Sequence, residues 1–275
     1  MSNFVRYHSE KDLRVPSPNV WGTLSKHQDD AHFGKCIHLF DDFGFPLFGT
    51  NTNYTYQDTG VIIGAQNAVP DIGDALGVLE VSGNDADNDE GHIKFGGQGE
   101  NFRIDDNFAG NTARVFFGCR FNVASIADNS CAFFMGLGSG TMAANHLVDD
   151  TGALIATEGF IGIRRLNDDG DKADIVFQDV SQAINEIIVN AVTLVANTWV
   201  KFEFTYNPAR EDAKKIKFYV NGVEQSTYVT AALIGGATFP EDIGLQPMLL
   251  TKVGTAAESL VRMDWVAATQ YYDGL

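Results

Sequence analysis

The chain has 275 residues, among them 28 Gly, 20 Phe and 8 Tyr, and its formal net charge is −17. That length holds one large domain or two small ones, and the acidity excludes nucleic acid or an anionic membrane as main partner, since both require a basic footprint. No apolar run approaches the ~20 residues of a membrane span.

Residues 1–39 follow neither the helix nor the strand period, include Pro16 and Pro18, and read as an extended arm. The arm is also electrostatically apart: residues 1–40 hold five Lys/Arg against four Asp/Glu, residues 41–200 seven against 23. From Phe40 onward the apolar runs Gly60 to Ile63, Leu76 to Val81, His92 to Phe95, Ala113 to Val123 and Cys131 to Leu137 alternate with turn clusters. Such spacing predicts an all-β body over residues 40–275.

Strict alternation over Arg114 to Val123 puts Val115, Phe117, Cys119, Phe121 and Val123 on one face. The next strand repeats the pattern with Cys131, Phe133, Met135 and Leu137, so Cys119 and Cys131 are expected in the core as reduced thiols. With Cys36 the cysteines number three, no disulfide framework, and no leader pattern is seen. The expectation is a chain made in a reducing cytoplasm. Further on, Val200, Phe202, Phe204 and Tyr206 alternate with Lys201, Glu203 and Thr205, predicting a half-buried antiparallel strand with Trp199 beside its core face. Ile216 to Val220, Asn221-Gly222 and Val223 to Tyr228 predict a hairpin, because a type I′ turn needs positive φ at both central residues. Asn207 to Ala213 and Gly235 to Asp242 are loops, and Leu260 to Thr269 is a closing strand.

The segments Thr198-Trp199-Val200-Lys201-Phe202-Glu203-Phe204, Ile216 to Gly222 and Val261-Arg262-Met263-Asp264-Trp265-Val266 resemble the laminin G-like and concanavalin A-like sandwich family. Phe40-Asp41-Asp42-Phe43, Gly60 to Ile63, Asp85 to Glu90, then Ala113 to Val123 leading into Phe133 to Gly138, are similar in order to laminin G-like structural proteins of tailed bacteriophages. The resemblance implies a two-sheet antiparallel jelly-roll sandwich, non-enzymatic, in a virion assembled in the host bacterial cytoplasm. A capsid decoration or accessory head protein is the first reading, with the major capsid protein or other virion subunits as partners and a homo-oligomer on the particle. A lectin-like module of a head or tail fibre that binds cell-surface glycan is the alternative, and a hydrolase the third reading. For docking, Phe4, Arg6, Tyr7, Arg14 and Trp21 of the arm are the candidate interface residues.

Glycoside hydrolysis by this sandwich needs paired carboxylates on alternate strand positions, roughly 5–5.5 Å apart for retention. Neither Glu-x-Asp-x-Glu nor Glu-x-Asp-x-x-Glu occurs, and Glu80, Glu203 and Glu224 have no acidic neighbour two or four residues away. Asp85, Asp87 and Asp89 have the spacing of early calcium-loop ligands, but Glu90 and Gly96 stand where that loop needs Gly and Glu, leaving an adventitious calcium contact at most. His27, His32, Cys36 and His38 offer zinc donors in no recognised spacing. Asn167 to Asp171 is a hairpin turn by composition, and Gly136-Leu137-Gly138-Ser139-Gly140 lacks the serine position of a nucleophile elbow and reads as a loop. Tyr54, Tyr56, Tyr271 and Tyr272 are candidate exposed rings for stacking on sugar. No catalytic, cofactor or metal residue is assigned.

Overall fold

Aromatic and β-branched residues at alternate positions, cut by Gly, Asn and Asp, build two antiparallel sheets in the computed structural model, which describes residues 36–41, 54–58, 78–82, 90–95, 101–105, 112–139, 158–166, 168–254 and 260–273. The strands are β1 (Cys36–Asp41), β2 (Tyr54–Asp58), β3 (Leu79–Ser82), β4 (Glu90–Phe95), β5 (Thr112–Val123), β6 (Cys131–Gly138), β7 (Phe160–Arg165) and β8 (Lys172–Gln178). They continue as β9 (Asn185–Thr193), β10 (Val200–Tyr206), β11 (Ile216–Val220), β12 (Val223–Glu224), β13 (Gln246–Val253) and β14 (Leu260–Asp273). A 3-10 turn, Asp212–Lys214, and a one-turn helix, Ala231–Ile234, are the helical pieces among the described residues.

Sheet I runs β1-β14-β5-β10-β11-β12, with β3 also pairing β14; sheet II runs β2-β4-β13-β6-β7-β8-β9. Their facing sides interdigitate. From sheet I come Val115, Phe117, Cys119, Phe121, Phe202, Phe204 and Phe218; from sheet II come Ile93, Phe133, Met135, Ile163, Ile175 and Leu249, all essentially inaccessible. Phe121 meets Phe133 across the gap edge to face, centroids 5.4 Å apart, and Phe117 stacks on Phe204 at 5.3 Å. Each buried ring is worth roughly 1.5–3 kcal/mol of hydrophobic transfer, so this layer holds the sandwich together.

The predicted antiparallel sandwich is the observed one. Cys119 and Cys131 are buried and not joined in a disulfide, and burial pushes the Cys119 thiol far up, with Glu203 adding to the shift. Asn221 (φ 51°) and Gly222 (φ 78°) form the hairpin turn between β11 and β12. Residues 168–171 close the turn between β7 and β8, where Asp169 Oδ2 accepts the Leu166 amide at 3.0 Å.

Several expectations need correction. Strand β10 is buried on both faces, because Lys201, Glu203 and Thr205, expected toward water, are 0–1% exposed. Trp199 stands outside the core and half-buried, its ring 4.5 Å from the Arg120 guanidinium, since it precedes β10 and packs over the outer side of sheet I. Gly136 to Gly138 end strand β6 and are not loop. Within the range read as arm, Cys36 to Leu39 already belong to β1, paired with β14 from Ala268 to Tyr271.

Candidate functional site

The site is the outer face of sheet II, and strand registers fix its layout. Lys252 lies opposite Glu90, Leu250 opposite His92 and Met248 opposite Lys94. On the other side of β13, Leu250 faces Phe134, Met248 faces Gly136 and Gln246 faces Gly138. Phe134 then neighbours Arg164, Gly136 neighbours Gly162 and Gly138 neighbours Phe160, and Arg164, Gly162 and Phe160 neighbour Asp174, Val176 and Gln178. An aromatic and aliphatic centre is therefore flanked by two ionic groups.

The centre is a buried cluster of Ala132, Phe134, Val176, Met248 and Leu250, with Phe160 and Ile184 half-buried against it. Two glycines shape it. A Cβ on Gly136 would run into the Ile161 carbonyl oxygen and stand 2.7 Å from Gly162 Cα and 2.8 Å from Phe134 Cζ. One on Gly162 would run into the Met135 carbonyl oxygen and stand 2.8 Å from both Gly136 Cα and Phe134 Cε2. The Phe134 ring thus lies down on bare backbone where β6 and β7 pair, and Phe160 stands beside it, centroids 4.9 Å apart at 56°. Met248 covers Gly138 in the same way, its Sδ 2.5 Å from where a Cβ would be.

On the β4 side, His92 Nε2 donates to Glu90 Oε2 at 2.9 Å and Lys252 Nζ stands 3.7 Å from Glu90 Oε1. On the β8 side, Arg164 Nη2 donates to Glu186 Oε1 at 2.8 Å and lies 3.9 Å from Asp174 Oδ2. Asp174 Oδ1 accepts the amide of Asn190 at 2.7 Å, fixing a left-handed residue (φ 55°) where β9 bulges against β8. Desolvation raises the Asp174 carboxyl above its ordinary range, partly offset by that amide. Two buried polar atoms on this face, Arg164 Nε and Gln178 Oε1, have no hydrogen-bond partner. Such atoms call for a ligand or water.

Phe4, Arg6, Tyr7, Arg14, Trp21, His27, His32, Asp85, Asp87 and Asp89 lie outside the described residues. Cys36 and His38 are β1 positions opposite Tyr271 and Thr269. Tyr54 and Tyr56 are β2 positions opposite Phe95 and Ile93. Tyr271 is half-buried at the end of β14, with Tyr272 following it opposite Ala113. Glu80 pairs with Arg262 at 3.1 Å. Glu203 and Glu224 do come onto one face of sheet I, either side of Tyr219. There Glu224 accepts from Lys217 (2.9 and 3.1 Å) and Tyr228 (3.1 Å). Burial pushes its carboxyl up, but these donors more than offset that and hold it low.

One further acidic group, Asp105, Glu241 and Asp242, has its ligand atoms within 4.8 Å of one another. The Arg103 guanidinium already occupies it, 2.6 Å from Asp242 and 3.1 Å from Asp105, and is its counter-ion. Sequence reasoning missed the sheet II face; its signals were the alternation Glu90-x-His92-x-Lys94 and the facing glycines Gly136 and Gly162.

No family model matches the chain, and no curated protein matches it. Solved structures do. A protein of unknown function from Shewanella oneidensis MR-1 superposes with a TM-score of 0.56 at 14% identity, covering 95% of this chain and 97% of that one. Peanut lectin crystallised with a 9mer peptide gives 0.56 at 14%, covering 88% and 100%. The endo-1,3-β-glucanase of Streptomyces sioyaensis gives 0.56 at 15%, covering 86% and 97%. At these identities the likeness concerns the fold: the protein is a concanavalin A-like jelly-roll sandwich. Its neighbours include lectins and glucanases alike.

Proposed function

We propose that the protein is a lectin-like module that binds glycan on the outer face of sheet II and does not cleave it. The observation that carries this is the face itself. Half-buried Phe160 and Ile184 are its accessible part, packed on the buried Phe134, and the buried Arg164 Nε and Gln178 Oε1 beside them lack a hydrogen bond. Apolar surface with a few placed polar atoms is the general make-up of a small-ligand site. The sandwich is shared with peanut lectin and an endo-1,3-β-glucanase, which favours saccharide as ligand class.

The carboxylates argue for binding over hydrolysis. Glu90 on β4 and Asp174 on β8 are four strand spacings apart, about 19 Å at ~4.8 Å per strand. A glycosidase pair needs at most ~9.5 Å. Asp174 and Glu186 are closer, but both are held by Arg164, and Asp174 also by the Asn190 amide. Among the described residues this face therefore offers no free acid pair. Affinity electrophoresis of the purified chain through gels with and without polysaccharide tests the reading. Retardation that Phe160→Ala reduces roughly tenfold, about 1.4 kcal/mol, supports it; retardation equal in that variant, or release of reducing ends, contradicts it.

The phage resemblance adds a carrier. We infer that the module is displayed on a virion through residues 1–35, which precede β1 and hold five Lys/Arg against four Asp/Glu in a chain of net charge −17. A chain starting at residue 36 that is folded yet still co-sediments fully with particles would refute that attachment.

A further inference from the structure

We propose that the connection from β8 into β9, residues 179–186, is a flap over one end of the aromatic centre, and that it opens to admit the saccharide; the inference rests on the glycan-binding reading above. The centre as it stands is closed. Phe134, Val176, Met248 and Leu250 are 0–6% exposed, and the half-buried Phe160 and Ile184 are the members of the group that reach solvent.

Register shows what Ile184 covers. Gln178 lies opposite Phe160 on one side, and the pairing of Phe177 with Asn185 puts Ile184 level with Gln178 on the other. Ile184 and Phe160 therefore flank Gln178, which is wholly buried; its Nε2 donates to the Glu158 carbonyl at 3.1 Å and its Oε1 has no hydrogen-bond partner. An orphaned acceptor of this kind costs the closed arrangement free energy. A sugar hydroxyl can reach it once Ile184 has moved aside. A ligand that gains this contact in the open form alone draws the equilibrium toward that form.

The flap is lightly attached. Strand β9 is the last of its sheet, so among the described residues no strand pairs its far edge. Two ladder pairs, Val176 with Glu186 and Phe177 with Asn185, join the flap to β8, and a register shift between Ile175 and Val176 separates them from the pairing further along. Ile187 is the extra residue of that bulge, where the ladder is interrupted and the strand bends, and it is the hinge. The turn is held by its own bonds, Gln182 N to Asp179 O at 3.0 Å and Asn185 Nδ2 to Ala183 O at 3.4 Å, which travel with it. Val180, Ser181 and Ala183 are exposed, leaving its outer side open to solvent. Its ionic tether is Glu186, 46% exposed, which accepts from Arg164 Nη2 at 2.8 Å across β8.

The test uses the full-length chain, the variants Ile184→Ala and Glu186→Ala, and three probes, laminarin, dextran and mannan. Hydrogen exchange over residues 179–187 reads the opening without ligand, and calorimetry reads the affinity. Ile184→Ala removes the side chain that holds the flap down and should speed exchange there roughly tenfold, with β10 and β11 unchanged as the check on folding. A closed majority weakens apparent affinity by the fraction open, so the same variant should bind its glycan roughly tenfold more tightly. Glu186→Ala loses an exposed ion pair and should move both readouts in the same direction, by about two- to fivefold. A fixed contact would behave in the opposite way, so equal or weaker binding by Ile184→Ala overturns the flap while glycan binding stands. Tighter binding with unchanged exchange also overturns it, because the gain would not come from opening. No binding of any probe by parent or variants overturns the flap and the glycan reading together. Should Ile184→Ala not fold, the sign of the two shifts in Glu186→Ala decides the question.

Discussion

Gly162→Ala is the substitution that most directly probes how the aromatic centre is made. The new methyl would meet Gly136 Cα and Phe134 Cε2 at 2.8 Å and collide with the Met135 carbonyl oxygen, where carbon pairs prefer about 3.5–4.0 Å. Two of these three neighbours are backbone, so relief requires β6 and β7 to part, while the third requires Phe134 to lift off the sheet. Overpacking of this kind costs ~1–3 kcal/mol, and the backbone collision puts the figure near 3. The stiffer unfolded chain returns about 0.4–1 kcal/mol, for a net loss of about 2 kcal/mol. At ~2–4 °C per kcal/mol for a chain of this size, Tm should fall by about 4–8 °C. Circular dichroism melts and urea midpoints measure it, with Gly236→Ala as control, since its Cβ would come no closer than 3.2 Å to any atom. Glycan affinity should fall as well, because the ring no longer lies flat. A Gly162→Ala protein as stable as the parent would refute the β6–β7 register and the seat it makes for Phe134.

Phe204→Ala should cost roughly 3–5 kcal/mol in urea unfolding, since the ring is inaccessible and packed among Phe117, Phe202 and Phe218; an unchanged midpoint would contradict its place in the core. Arg165, fully buried, donates to the carbonyls of Gly170, Cys131 and Ala127. Arg165→Met strips three acceptors at ~1–3 kcal/mol each, so a loss below about 2 kcal/mol would show that they find other donors. In a Cys36→Ser protein the remaining thiols, Cys119 and Cys131, are 0% and 2% exposed and should react with a thiol reagent only on unfolding; rapid labelling in native buffer would contradict the core assignment.

Much of the fold was legible in sequence because the interface between the sheets obeys period two. Val115 to Val123 and Cys131 to Leu137 announce their inward faces, and Asn221-Gly222 announces its turn. What misled was the opposite side of the same strands. Lys201, Glu203 and Thr205 carry polar atoms and alternate with aromatics, the pattern of a half-solvated strand, yet they are buried. Periodicity says which residues share a face and not whether that face meets water. Strands β8 and β13 escaped notice for a related reason: Val176, Met248 and Leu250 make their outer faces apolar, so the alternation blurs into continuous runs.

The candidate site was harder to see, since it is assembled by pairing between distant segments. His92 and Leu250 become neighbours only through the β4–β13 register, Phe134 and Arg164 only through β6–β7. A search along single strands for paired carboxylates could not find Asp174 with Glu186, which meet at Arg164 from adjacent strands. The aromatic centre of sheet II was equally hidden: Phe134 and Phe160 form it because glycines at the facing positions let a ring lie on backbone.

Hydrogen exchange of the full-length chain, with and without a bound oligosaccharide, tests the central claim most directly. The account predicts added protection in β4, β6, β7 and β13, with β5, β10 and β11 of the opposite sheet unchanged. Protection confined to the strands of sheet I, with none in β6 and β7, would contradict it.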